Sequence, residues 1–277
     1  MFMRPRLALS GLSLFDFAVE NRSDGNEQTH ASADFRFRAL RPEVAAELAN
    51  ELLSLLSNED QQLVFKECEP VSLEPRQTLI EADEPVEHVY FPLSGIVSVL
   101  AVLNDCNAIE AATIGNDGFA GLSTFLGSDV SPVRFIVQVR GEALRIPSQR
   151  LHQLADSQPQ LRLVLGRYAD FVLGVTAQTA ACNRLHNVVQ RCARWLLRVH
   201  DRLETNEFPL TQEFLAHMLG VRRASVSIAA GQLQDAGYIR YSYARVAILD
   251  KAGLESAACE CLSVTRRRYE TMVLRGA

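Results

Sequence analysis

The sequence predicts an α+β chain in which a barrel of short strands precedes a long helix and a small helical unit closed by a hairpin. Three observations predict it. Between Val71 and Ile146, short apolar runs are cut by turn residues, from "VSLEP" and "TLIEA" through "HVYFPLSGIVSVLAVL" and "NAIEAATIG" to "RFIVQVRGEALRIP". That texture is the one of a compact antiparallel barrel or sandwich. Beyond Pro159 the apolar residues return at helical spacing, and after residue 210 two short helical patterns meet across a glycine.

With 277 residues, 48% hydrophobic and 22% charged, the chain can bury a sizeable core and fill two ordinary domains. Near its start, "RPRLALSGLSLF" imitates a secretion signal, but Asp16 interrupts the run and no small-residue cleavage site follows. The stretch "ENRSDGNEQTHASAD" holds almost nothing apolar to offset the entropy of ordering. Residues 1–38 are therefore expected to be a disordered extension. Leu48, Leu52, Leu55 and Leu56 then recur at helical spacing, and Ser57 is placed to cap a second short helix carrying Leu63 and Val64. The barrel domain is expected over residues 39–154.

A loop inside the barrel, "TIGNDGFAGLSTFLG", packs four glycines into fifteen positions and has the look of a phosphate cradle. The next part, residues 155–183, is expected to be a dimerisation helix beginning near Pro159. Leu161, Tyr168, Val175 and Cys182 lie seven apart, and Leu165, Val172 and Thr179 form a companion row. A narrow seam kept over three repeats predicts a two-stranded coiled coil between two copies. The competing use of such a stripe is packing against the chain's own barrel.

Residues 184–277 carry the most informative stretch. Thr211 precedes "QEFLAHML", whose Phe214, Leu215, Met218 and Leu219 form one face, and Gly220 ends that helix. "VRRASVSIAAGQLQDAG" starts a second helix at once, with Val226, Ala230 and Leu233 inward and Gly237 closing it. Two short helices across a glycine turn are a helix-turn-helix, and "YIRYS" with "RVAIL" add a hairpin wing. Thr211 and Gln212 begin the first helix; Arg222, Arg223, Ser225 and Ser227 occupy the first turn of the second. In that place a guanidinium can pair with guanine O6 and N7, and hydroxyls can reach bases or phosphates. Charge agrees with a polyanionic partner: residues 184–277 hold 14 basic and 9 acidic residues, a balance of +5, against 14 and 24, or −10, for the rest.

The order of barrel, long helix and winged helix-turn-helix resembles the Crp/Fnr superfamily of bacterial transcription regulators. "FPLSGIVSVL" and "GNDGFAGLSTFLG" carry the resemblance in the barrel, and "CNRLHNVVQRCARWLLRVHDRL" carries it after the long helix. "LTQEFLAHMLGVRRASVSIAAGQLQDAGYI" carries it in the last part, so that it covers about residues 45 to 262. It implies a cyclic-nucleotide-binding-like β jelly roll, a homodimer, double-stranded operator DNA as partner, and contact with RNA polymerase. In members that bind cyclic AMP, a glutamate follows the glycine turn for the ribose, and an arginine, usually with serine, holds the cyclic phosphate. Here Gly118 and Gly121 keep the turn, Leu122 stands where the glutamate is expected, and "SDVSPVRFIV" offers only Arg134, a few positions late. The expectation is a degenerate effector pocket without cyclic AMP. Two alternatives stay open: gating by a cyclic nucleotide or another small ligand, and a barrel serving only as a protein-interaction platform.

Other chemistries find less support. The six cysteines, Cys68, Cys106, Cys182, Cys192, Cys259 and Cys261, show no CxxC spacing, so reduced thiols are expected, with neither a disulfide framework nor a zinc site. No cysteine precedes Cys68, which argues against the N-terminal iron–sulfur cluster of the oxygen-sensing branch, and His88 alone is a poor case for haem. Cys106 in "NDCNA" lacks a neighbouring base that would make it a redox thiol. Cys182 with His186, and Cys192 with His200, sit on helical patterns without an oxyanion loop or paired acid, so no enzyme is expected. No apolar run approaches the ~20 residues of a membrane helix. The expectation is a cytoplasmic protein with no cofactor, no metal and no membrane partner.

Overall fold

The computed structural model describes residues 50–103, 108–203 and 205–274. The extension expected over residues 1–38, Leu48 and Cys106 lie outside the described residues. The barrel and the helical part that follows belong to one compact unit.

Two short helices open it: α1 (Glu51–Ser54), capped by Asn50, and α2 (Asn58–Lys66), where the Ser57 hydroxyl accepts from the Asp60 amide. Seven strands follow: β1 (Glu69–Leu73), β2 (Thr78–Ile80), β3 (His88–Pro92), β4 (Ile96–Val102), β5 (Ala108–Ile114), β6 (Arg134–Val139) and β7 (Gly141–Pro147). They form two antiparallel sheets in the orders β1-β7-β3 and β2-β6-β4-β5. The unbroken apolar run "HVYFPLSGIVSVLAVL" is β3 and β4 joined by a turn at Gly95, whose φ is +78°. A one-turn helix, α3 (Leu122–Phe125), interrupts the strands after Gly121.

The helical half begins with α4 (Ser148–Ser157), and a separate long helix, α5 (Pro159–Leu185), follows with proline in its first turn. Then come α6 (Val188–Leu203), β8 (Glu207–Pro209), α7 (Gln212–Leu219), α8 (Arg223–Asp235), β9 (Ile239–Ser242), β10 (Arg245–Ile248), α9 (Lys251–Ala257) and α10 (Cys261–Arg268). A π-helical segment, Tyr269–Leu274, ends the described chain. The wing is a three-stranded sheet, β8-β10-β9, because "EFP" before the first motif helix pairs with β10.

The seam residues of α5 are corrected by the fold. Leu161, Leu165, Tyr168, Val175, Thr179 and Cys182 are buried within this single chain, and Val172 is half-buried. They pack on the barrel and on the C-terminal helical segment, so they are not free to face a second copy. A seven-residue stripe reports an apolar partner for the helix and does not say which chain supplies it. Leu163 and Leu173, on the opposite face, are 46% and 69% exposed.

One run of rings ties these layers together. Phe91 and Phe119 in the barrel, Tyr168 and Phe171 on α5 and Tyr269 in the last segment follow one another with centroids 5.5, 5.1, 6.0 and 5.2 Å apart. Such tilted pairs add about 0.5–1.5 kcal/mol each beyond burial. The Tyr168 ring also explains Gly118, since a Cβ there would lie 1.9 Å from the Tyr168 hydroxyl.

Candidate nucleic-acid interface

Helices α7 and α8 sit on α6, around a core that includes Trp195, Leu196, Leu215, Leu219, Val226, Leu233, Ile239 and Val246. The Thr211 hydroxyl accepts from the Phe214 amide and starts α7, and Gly220, at φ +61°, ends it in the left-handed conformation that glycine adopts without strain. The guanidinium of buried Arg191 on α6 donates to the Leu219 carbonyl, satisfying one of the last acceptors of α7.

Arg222 stands at the N-cap of α8 and Arg223 is its first residue, both exposed. Ser227 is exposed and donates to Gln212 Oε1 at 2.5 Å, so the two motif helices are latched at their solvent edge. Ser225 is half-buried, and Thr211 is engaged as a cap. Of the six residues assigned from sequence, the arginines, Ser227 and Gln212 share one surface, while Ser225 turns partly inward. Two further residues belong to that surface and were not legible as such: Ile228, 64% exposed one position past Ser227, and Tyr243, fully exposed at the tip of the wing. Tyr243 and Ala244 hold φ of +46° and +59°, the two-residue turn geometry that right-twisted hairpins favour and that asparagine and glycine usually fill. A cleft between α8 and the wing is lined by Arg223, Ser227, Gln234, Tyr241 and Tyr243.

The glycine-rich loop of the barrel holds a side chain of the helical half. The Gly115 amide donates to Asp117 Oδ1 at 2.9 Å, and Asp117 accepts from Arg202 Nε at 3.1 Å and Nη2 at 2.6 Å. Arg202 Nη1 also donates to the Thr113 hydroxyl at 3.1 Å. Burial alone would raise the Asp117 carboxyl, yet Arg202 holds it below its ordinary value. Gly121 caps α3, whose first residue is Leu122, and Arg134 pairs with Glu81 at 2.6 Å. Arg134, the guanidinium expected from the sequence as the phosphate partner, is thus already engaged by a carboxylate.

The fold also corrects the expectation of scattered cysteines without a zinc-like arrangement. Cys182 and His186, four apart at the end of α5, meet Cys259 and Cys261, two apart at the start of α10, with all four donor atoms within 4.8 Å of one another. The i, i+4 Cys–His pair was visible in the sequence; its partners, more than 70 residues on, were not.

A cyclic nucleotide-binding domain model matches residues 70–158, and a Crp-like helix-turn-helix domain model matches residues 190–257. The chain belongs to the Crp/Fnr superfamily. Its two domains are those of a transcription regulator with a helix-turn-helix DNA-binding part, and not those of an enzyme. Among the relatives of this Crp/Fnr chain is a CRP-like cAMP-activated global transcriptional regulator of Mycobacterium tuberculosis, 27% identical over 202 residues, which cover 70% of this chain and 89% of the relative. Similar solved structures include FixK2 from Bradyrhizobium japonicum, with TM-score 0.61, 18% identity, and 69% of this chain and 98% of that one covered. The c-di-GMP responsive global regulator CLP of Xanthomonas campestris gives TM-score 0.59 at 20% identity, covering 69% and 99%. Among the described residues no helix is long and apolar enough to cross a membrane.

A second contact fastens barrel to helix-turn-helix in this Crp/Fnr chain. Glu110 on β5, 8% exposed, accepts from Trp195 Nε1 of α6 at 2.9 Å and from the Ser98 hydroxyl at 3.0 Å. Burial pushes its carboxyl from 4.5 up to about 7, opposed by Arg198, Ser98, Trp195 and Arg194. A carboxyl raised in the fold contributes its full stability below pH 4.5 and loses it as pH rises through about 7. At about 1.4 kcal/mol per pH unit, the loss across that window is about 3 kcal/mol. Glu110→Gln keeps an acceptor for Trp195 and removes the titration, so its stability should change less than that of the unmodified chain between pH 5 and pH 8. Urea unfolding of both proteins across that range measures it, and parallel pH profiles would refute the assignment.

Proposed function

We propose that the chain regulates transcription as a homodimer bound to a palindromic operator, with α8 in the major groove and the wing alongside the backbone. The observation that carries this is the exposed pair Arg222 and Arg223 at the start of a helix whose inward face is fully packed. Arg223 lies within the helix and is the base reader; Arg222, at the cap, is the phosphate clamp. A bidentate arginine–guanine contact contributes about 1–3 kcal/mol of discrimination, whereas a phosphate contact adds affinity without sequence information. Arg223→Ala should relax preference at one symmetric pair of operator positions. Arg222→Ala should weaken all sequences alike and lower the salt slope by roughly 1 per site. A competition assay over operator variants decides between them: an even loss with Arg223→Ala and a changed base preference with Arg222→Ala would reverse the roles.

Two copies would meet through the outward face of α5, where Leu163, Leu173, Ala177 and Ala180 are exposed, since its other face is occupied. Leu173→Glu should leave the fold intact and shift sedimentation toward monomer, because a charge buried in an apolar contact costs several kcal/mol. Persistence of the dimer in that variant moves the interface elsewhere. The barrel's exposed loops would meet RNA polymerase.

Cyclic AMP is not the effector in this reading. Leu122 cannot accept from a ribose hydroxyl, and Arg134 is paired with Glu81. The relative that is cAMP-activated and the neighbour responsive to c-di-GMP make both nucleotides the ligands to test. Calorimetric titration of the full chain should give no saturable cyclic AMP binding at micromolar concentration; one molecule bound per chain contradicts this. Binding of c-di-GMP alone would favour an effector-gated regulator over an unliganded one.

A further inference from the structure

We propose that Cys182, His186, Cys259 and Cys261 bind a single zinc ion at the joint between the long helix and the DNA-binding half. Their sulfur and nitrogen donors all lie within 4.8 Å of one another. Cys182 Sγ and Cys259 Sγ are 3.5 Å apart, far beyond a disulfide bond, and Cys261 Sγ is 3.6 Å from His186 Nδ1. Tetrahedral zinc, with bonds of about 2.3 Å to sulfur and about 2.0–2.1 Å to nitrogen, places sulfur–sulfur edges near ~3.8 Å and sulfur–nitrogen edges near ~3.6 Å. The free chain therefore already holds these donors close to the edges of that polyhedron. Three cysteines and one histidine are a recurrent structural zinc set, and donors this close leave room for one ion.

The surroundings match those of a ligand shell. His186 Nε2 lies 3.1 and 3.2 Å from the two carboxylate oxygens of Glu260, which leaves Nδ1 aimed at the sulfurs, as in carboxylate–histidine–zinc arrangements. Gln178 Nε2 donates to Cys261 Sγ at 3.1 Å. The three cysteines are buried, as an inert apolar trio would also be, but such a trio does not require an oriented imidazole or a cation beside it. Arg194 supplies that cation: it is 5% exposed, interacts electrostatically with Cys182 and Cys259, and its Nε has no hydrogen-bond partner among the described residues. Three thiolates around a dication leave one negative charge, which this guanidinium would balance.

The site crosses a mechanical junction. Helix α5 ends at Leu185, His186 is extended, and α6 of the DNA-binding half begins at Val188. Cys259 comes from the segment between α9 and α10 and Cys261 is the first residue of α10, both beyond the matched helix-turn-helix domain that ends at residue 257. One ion would pin this C-terminal segment across the bend.

The test is metal binding by the reduced, full-length chain. Reconstitution with zinc should retain one ion per chain after desalting. Cobalt substitution should give the visible bands of a tetrahedral ion and thiolate charge-transfer absorption. Cys261→Ser and His186→Ala should lose the cobalt spectrum, whereas Cys192→Ser, buried in the core away from the cluster, should keep it. Glu260→Gln should weaken zinc about 10–100-fold, as loss of an outer-shell partner does. Absence of the cobalt bands from the reduced full-length chain overturns the proposal without relying on any variant. So does a Cys261→Ser protein that binds like the unmodified one, or a Cys182–Cys259 disulfide found in the chain purified under reducing conditions.

Discussion

The contact on which the arrangement depends is the ion pair between Asp117 and Arg202. It is made twice over, by two guanidinium nitrogens, and both side chains are largely buried, 10% exposed for Arg202 and 19% for Asp117. Desolvating two charges is costly, and the mutual attraction repays it only when geometry and accessory hydrogen bonds are good. Here the Gly115 amide and the Thr113 hydroxyl supply those bonds. Removing either partner would leave an uncompensated charge, a loss of about 3–5 kcal/mol. With Glu110 and Trp195 a few residues away, this pair fixes α6 against β5 and so fixes the surface on which the recognition helix rides.

The glycine-rich loop acquires a different meaning in that light. In the family pattern, such a turn presents amides and an acid to a nucleotide; here the Gly115 amide donates to Asp117, and that acid pairs with a protein arginine. Gly118 is shaped by the ring of Tyr168 and Gly121 by the start of α3. The glycine-rich turn is present while the Asp117 carboxylate within it is engaged in an internal contact.

Much of the fold was legible because local chemistry determines it. Ser57, Thr211 and Gly220 punctuate their helices as their local chemistry dictates, and the strands of the barrel show as short apolar runs, buried along β3 and β4 and cut by turns. The motif arginines were legible because a helix start after a glycine turn is a local signal. What failed was long-range. The stripe on α5 could not say whether barrel or second chain covers it, and Leu161 and Val175 proved to be internal. The Cys182–His186 pair gave no sign of Cys259 and Cys261 because their approach depends on the packing of α10 on α5. Short β8 carried too few residues to announce itself, and Ser225 is half-buried because it adjoins Val226, which the helix's apolar register turns fully inward.

The wing tip has a consequence of its own. Tyr243 and Ala244 adopt a left-handed backbone without glycine, a conformation costing on the order of 1–3 kcal/mol per residue. The hairpin forgoes that stability and in return carries a phenol ring wholly in solvent, at the end of a three-stranded sheet. An Asn-Gly tip would fold more easily and present no aromatic ring. The turn therefore carries an aromatic face at the far end of the wing, open to solvent on every side.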